Sequence, residues 1–143
     1  MKNLTKSFLV LVSSLVLTAN LYGEDLKQHK VVIQVSSDDK ATRTLALNNA
    51  ANLQELYGID NITVEIVAYG AGLGILTADY EDATRVKSLA MQNITFSACG
   101  NTMKKIAKKS GKEPVLTEGV QVVKAGVGQI IELQEQGYSY IRP

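Results

Sequence analysis

The sequence predicts an α/β domain built on a parallel sheet with helices on both faces. Three observations lead there. Short apolar runs alternate with helix-like segments from residue 30 to the end, the order that builds parallel sheets. The first run, Lys30-Val31-Val32-Ile33-Gln34-Val35, has a continuous apolar centre, which suits a strand buried on both faces. Glycines at 58, 111 and 137 close three of the helical segments, as expected of residues that leave a helix cheaply.

After the first strand, Ser36-Ser37-Asp38-Asp39 supplies cap residues for a helix from about Ala41 to Tyr57. Leu45, Asn49, Asn52 and Leu56 form one row of that helix, and Ala46, Ala50, Leu53 and Tyr57 the next. Asparagine is mildly unfavourable in mid-helix, so the Asn49–Asn52 row faces either solvent or another subunit. Ile62–Tyr69 reads as the second strand, and Gly70-Ala71-Gly72-Leu73-Gly74 as a loop. Asp79-Tyr80-Glu81-Asp82 then opens a second helix, with negative charge where the helix dipole favours it. Ala83, Val86, Leu89 and Ala90 give that helix an apolar face. The third strand is Ile94–Ala98 and the third helix runs from Asn101 to Ser110. Glu113-Pro114 interrupts the chain, Val120–Val123 is a short fourth strand, and Gly126–Gln136 is a fourth helix. Tyr138–Ile141 is the last strand; Tyr138 and Tyr140, two apart, share a sheet face, as core residues or as an oligomer contact.

The first 23 residues read as a signal peptide, and residues 24–143 as the domain. Lys2 and Lys6 precede the apolar run Phe8–Leu17, and small and polar residues lead to Gly23 and then Glu24-Asp25. The run is shorter than the roughly 20 residues a membrane span needs. Export to the periplasm or beyond is therefore expected, with no stable span after cleavage; Leu21 fits the cleavage rule poorly, so an uncleaved N-terminal anchor is the alternative. Removing residues 1–23 leaves 120 of the 143 residues, with 13 basic against 14 acidic side chains. A near-neutral domain lacks the positive field of a general nucleic-acid binder.

Cys99 is the only cysteine. It follows a strand and precedes a helix, where the dipole and free backbone N–H groups favour thiolate. With no second cysteine there is no internal disulfide. Such a thiol either reacts or packs as a small hydrophobe. His29 is the only histidine, and it precedes the first strand. A strand of about five residues at about 3.3 Å each puts roughly 16 Å between His29 and Cys99, too far for a dyad within one chain. One histidine and one cysteine do not make a four-ligand metal site, and no cofactor is expected. Gly70–Gly74 lacks the Lys-Ser/Thr of a phosphate loop and the dinucleotide spacing. Lys104, Lys105, Lys108 and Lys109 read as a solvated face, with Lys104 and Lys105 near enough to assist the thiol electrostatically. In a parallel sheet, sites form at the carboxyl ends of the strands. Ser36–Asp39, Gly70–Gly74, Cys99 and Lys124-Ala125-Gly126 would all meet at that rim.

Phe96-Ser97-Ala98-Cys99-Gly100-Asn101-Thr102 resembles the cysteine motif of the DsrE/DsrF-like family. Val67-Ala68-Tyr69-Gly70-Ala71-Gly72-Leu73 is similar to that family's loop after the second strand, and the tail from Gly119 to Pro143 to its exported members. The resemblance covers roughly residues 30–143. It implies a three-layer α/β/α sandwich with a five-stranded, mainly parallel sheet, assembled as trimers or hexamers. It also implies a cysteine that carries persulfide sulfur in a relay or in sulfur oxidation, with a protein as sulfur donor or acceptor. Cys99 matches that position. Gly100, Asn101 and Thr102 would then supply N–H groups to the bound sulfur, while Gly70 and Gly72 shape the mouth of the site. The alternative is a non-catalytic oligomeric module that binds a ligand or a partner, with Cys99 packing. A thiol oxidoreductase working through intermolecular disulfides lacks the second cysteine it would use.

Overall fold

The structure is a computed structural model that describes residues 28–143. The segment read as a signal peptide lies outside the described residues. The chain runs β1 (His29–Val35), α1 (Lys40–Tyr57), β2 (Ile62–Ala68), a 3-10 helix (Gly70–Leu76) and α2 (Ala83–Ala90). It continues through β3 (Ile94–Cys99), α3 (Gly100–Ser110), β4 (Val120–Val123), α4 (Gly126–Glu135) and β5 (Ser139–Ile141). The five strands form one sheet in the order β4-β3-β2-β1-β5, and every neighbouring pair is parallel. This is the predicted α/β/α sandwich.

The strands alternate, and each side of the pleat meets a different layer. Val31, Ile33, Val64, Ile66, Phe96 and Ala98 face α1, the 3-10 helix, α2 and Met103 of α3 in the main core. Val32 and Val67 face the other way, onto Ile130 and Leu133 of α4. That second core has only four buried members, because α4 alone covers its face. Polar side chains fill the sheet beside it. The carboxylate of Glu65 accepts from the Ser97 hydroxyl at 2.6 Å and from Gln129 of α4 at 2.9 Å. Gln121 in turn donates to Ser97 at 2.9 Å.

The cap expected before α1 is made by Asp39, whose carboxylate accepts from the Thr42 N–H at 2.8 Å and its hydroxyl at 2.9 Å. Two expectations are refined. Gly70–Gly74, expected as a loop, winds as a 3-10 helix to Leu76, with Gly72 N–H bonded to Tyr69 O at 3.1 Å and Thr77 N–H to Gly74 O at 3.0 Å. Its apolar residues Leu73, Ile75 and Leu76 are buried, and a tight turn inserts them into the core. The acidic run opens α2 as expected but lies just ahead of it rather than within its first turn: α2 starts at Ala83, with Asp82 at the N-cap. Asp82 and Glu81 turn toward Arg43 of α1, at 2.8 and 2.5 Å. Arg43 is buried, lies over the Tyr80 ring at 4.6 Å and also reaches the Asp38 carbonyl and, at 3.4 Å, the Asp38 carboxylate. The cost of burying that cation is met by three carboxylates converging from two segments.

The mid-helix asparagines divide. Asn48 accepts from Arg85 of α2 at 2.6 Å, whereas Asn52 is exposed beside Leu45 and Leu56, which are 47% and 69% exposed. Tyr138 joins the α4 core, and Tyr140 stays exposed while its hydroxyl donates to Gln34 at 2.6 Å. Among the described residues, no helix is long and apolar enough to cross a membrane.

Candidate functional site at the carboxyl rim

Cys99 ends β3 and stands at the N-cap of α3, with extended backbone angles. Its side chain follows Ser97 on the α4 side of the sheet. It retains only 6% exposure. The start of α4 closes over it: a Cβ on Gly126 would stand 3.3 Å from the Cβ of Cys99 and 3.0 Å from Cδ1 of Tyr69. Any side chain at 126 would crowd both, so glycine suits the approach. Two helix N-termini, those of α3 and α4, therefore converge on the thiol.

Burial pushes the thiol pKa up. Hydrogen bonds from the Thr102 side chain and from the backbone N–H groups of Gly126, Thr102 and Asn101 outweigh it, so the pKa lies below the ordinary cysteine value. The Thr102 hydroxyl is oriented for this. Its oxygen accepts from the Gly70 N–H at 3.0 Å, which leaves its hydrogen to point at sulfur.

The expected site residues separate into two groups. Gly70, Asn101 and Thr102 line a cleft of about 470 Å³, together with Tyr69, Ala71 and Ile106. Lys105 and Lys109 complete its wall. Cys99 lies behind Thr102 and does not line the cleft itself. Gly72 and Gly100 also stand away from the opening, and both have packing reasons. A Cβ on Gly72 would fall 2.4 Å from the Val35 carbonyl oxygen, and one on Gly100 3.1 Å from that of Val123. Gly72 is thus where the 3-10 helix crosses the end of β1. The Ser36–Asp39 segment reaches the same edge, but its carboxylates serve the α1 cap and Arg43. A larger cavity of about 730 Å³, lined by Tyr80, Ser110, Pro114 and Val115, takes Gly74 from the glycine segment but no other expected site residue.

His29 lies at the opposite edge, stacked on Tyr57 with ring centroids 3.8 Å apart. It pairs with Ile62, and Val64 pairs with Ile94, so Cys99 is about seven residues, or roughly 23 Å, farther along the sheet. Among the described residues, no group of three or more His, Cys, Asp or Glu side chains could hold a metal ion.

The expected meeting of Gly126 with Cys99 at the rim is observed, but sequence reasoning gave Gly126 no part in enclosing the thiol. Its signal was present as the glycine that opens the fourth helix at the rim. Sequence reasoning also missed the Glu65 network. The clue there was an acidic residue inside the apolar run Ile62-Thr63-Val64-Glu65-Ile66-Val67.

Fold and site together define a parallel α/β/α domain with one shielded cysteine where β3 meets α3. Residues 29–143 match the profile of the DsrE/DsrF-like family, and the chain belongs to that family. Among solved structures it is similar to MTH1491, a protein of unknown function from Methanobacterium thermoautotrophicum. The two share 36% identity over 80% of this chain and 99% of that one, with a TM-score of 0.72. Two further structures share the fold at 18% identity. The ychN protein from E. coli is matched over 80% of this chain and 99% of its own, with a TM-score of 0.59. BT1422 from Bacteroides thetaiotaomicron, also of unknown function, is matched over 80% and 94%, with a TM-score of 0.52. No curated protein matches the chain.

Proposed function

We propose that this chain is a non-catalytic binding module of the DsrE/DsrF-like family, in which Cys99 packs and the adjoining cleft takes a ligand or partner. The observation that carries this reading is the shielding of the thiol. Cys99 is 6% exposed and stands outside the cleft wall, and no histidine is near it to take or give a proton. Assembly of several copies is part of the proposal. Exposed apolar pairs on α4 (Val127 and Ile131, 52% and 53%) and on α1 (Leu45 and Leu56) support it. So is export, which rests on the layout of residues 1–23.

A specific observation favours a second reading. The hydrogen bonds that lower the Cys99 pKa favour the thiolate, the form that attacks sulfur. In that reading the thiolate attacks a sulfane sulfur of a polysulfide, forms a new S–S bond and releases the shortened polysulfide. The family's relay members make this the natural rival.

One experiment separates them. The purified native protein is titrated with a thiol reagent, then incubated with polysulfide and weighed intact, beside Cys99→Ser. A silent thiol, no added sulfur and unchanged assembly in Cys99→Ala support the packing role. One added sulfur atom on wild type and none on Cys99→Ser overturns it in favour of sulfur carriage.

A further inference from the structure

We propose that the cleft beside Cys99 binds small organic anions, with Lys105 and Lys109 holding the charged group and Tyr69, Ala71 and Ile106 receiving the apolar body. The inference deepens the ligand-binding reading and rests on it.

Three independent features point to that chemistry. The first is size and lining. About 470 Å³ suits a small molecule, and Tyr69, Ala71 and Ile106 offer a ring, a methyl group and an aliphatic chain to its body. The second is charge. Lys105 and Lys109 are one helical turn apart, so both project from the same face of α3. No acidic residue lines the cleft, and α3 carries four lysines and no carboxylate. Among the described residues the ion pairs are made by Lys40, Arg43 and Lys87, and none by a lysine of α3. The cleft's positive charge is therefore unopposed from within the fold. The third is the state of the other polar groups. The Gly70 N–H is taken by the Thr102 oxygen and the Thr102 hydroxyl turns its hydrogen to Cys99, so the lysines and the exposed Asn101 side chain remain to contact a ligand. An anionic head with an apolar body matches that set; a polycation or a plain hydrocarbon does not.

The test uses anilinonaphthalene sulfonate, a fluorescent aromatic anion, and phenylnaphthylamine, which has the same body without the sulfonate. Lys105→Gln/Lys109→Gln is compared with Lys104→Gln/Lys108→Gln, which removes equal charge from the same helix outside the cleft. All four positions are exposed, so the variants are expected to fold, and circular dichroism checks this. Loss of two charge-assisted contacts is expected to weaken the sulfonate by about tenfold or more. The Lys104/Lys108 variant and the neutral probe should change little. Raised salt should weaken the anion selectively, and amide shifts should cluster at Gly70, Ala71, Asn101 and Ile106. Equal losses in both double variants, equal binding of the neutral probe, or amide shifts elsewhere would overturn the assignment. Thiol titration does not depend on these lysines. A negative result here with a silent Cys99 therefore leaves the binding-module reading standing and removes only its ligand class.

Discussion

Gly72→Ala tests whether the glycine-rich segment is built for packing or for binding. The added methyl carbon would fall 2.4 Å from the Val35 carbonyl oxygen, 2.6 Å from its carbon and 2.8 Å from the Ser36 nitrogen. All three are backbone atoms at the end of a central strand, where no flexible side chain can swing away. Val35 is fully buried, and its carbonyl accepts from the Tyr69 N–H at 3.1 Å. Relief therefore requires separating the 3-10 helix from β1 and stretching that bond. Overpacking costs about 1–3 kcal/mol and the hydrogen bond about 1 more, which sums to about 2–4 kcal/mol. At roughly 4 °C per kcal/mol for a domain of this size, Tm falls by about 8–16 °C. The control is Gly128→Ala, whose methyl would meet only Ala125 at 3.7 Å. It sits in α4, where alanine is favoured by up to about 1 kcal/mol. Differential scanning calorimetry reads both. A Gly72→Ala protein melting within about 2 °C of wild type would refute the packing argument and return Gly72 to the list of ligand-contacting candidates.

Thr102→Val removes the side-chain bond that helps hold the Cys99 pKa down; thiolate absorbance should titrate at higher pH than in wild type, and Thr102→Ser should restore the lower value. Because the native thiol titrates below its unfolded value, its contribution to stability is present above the unfolded pKa and lost as pH falls through the native one. Asp39→Ala tests the same linkage for a carboxylate. The Thr42 backbone bond, and then its hydroxyl, hold the Asp39 pKa down. Its cap therefore stabilises above the ordinary carboxylate pKa, and the urea midpoints of variant and wild type should converge as pH falls through the lower native value. Arg43→Met leaves Asp82, whose side chain is 15% exposed, without its cation, while Glu81 and Asp38 keep solvent at 50% and 57%. Only one carboxylate is strongly stranded, so urea unfolding should show a loss of about 2–3 kcal/mol, at or below the low end for a buried pair; a loss under about 0.5 kcal/mol would mean the cluster behaves as surface charge.

Much of this fold was legible because its signals are local. The alternating strands, the glycine stops and the Asp39 cap each depend on a few consecutive residues. The position of Cys99 was legible for the same reason, since a strand ending in Ala-Cys-Gly leads directly into α3. What failed was information carried across the sheet. Asp79–Asp82 has the composition of a helix start and precedes α2, but nothing local shows that Arg43 from another segment draws its carboxylates aside. Gly70–Leu76 winds as a 3-10 helix, whose short turns leave no 3.6-residue period to detect. The meeting of Gly126 with Cys99 was legible from the parallel-sheet rim rule, but the close packing that lets Gly126 cover the thiol follows from where α4 docks, which one-dimensional spacing does not encode. The single helix on the second face was invisible for the same reason.

The pairing of β1 with β5 has a kinetic consequence. Val31 lies beside Ser139 and Val32 beside Tyr140, so almost the whole described chain separates the partners. Every other strand pair in the sheet is joined through a shorter crossover. Non-local pairing is slow to nucleate because loop closure precedes its reward. The β1–β5 edge is therefore expected to pair after the β1–β2–β3 centre. Weakening it, for instance with Tyr140→Phe, which removes the hydroxyl that reaches Gln34, should hasten unfolding and leave the folding rate nearly unchanged in stopped-flow denaturant jumps.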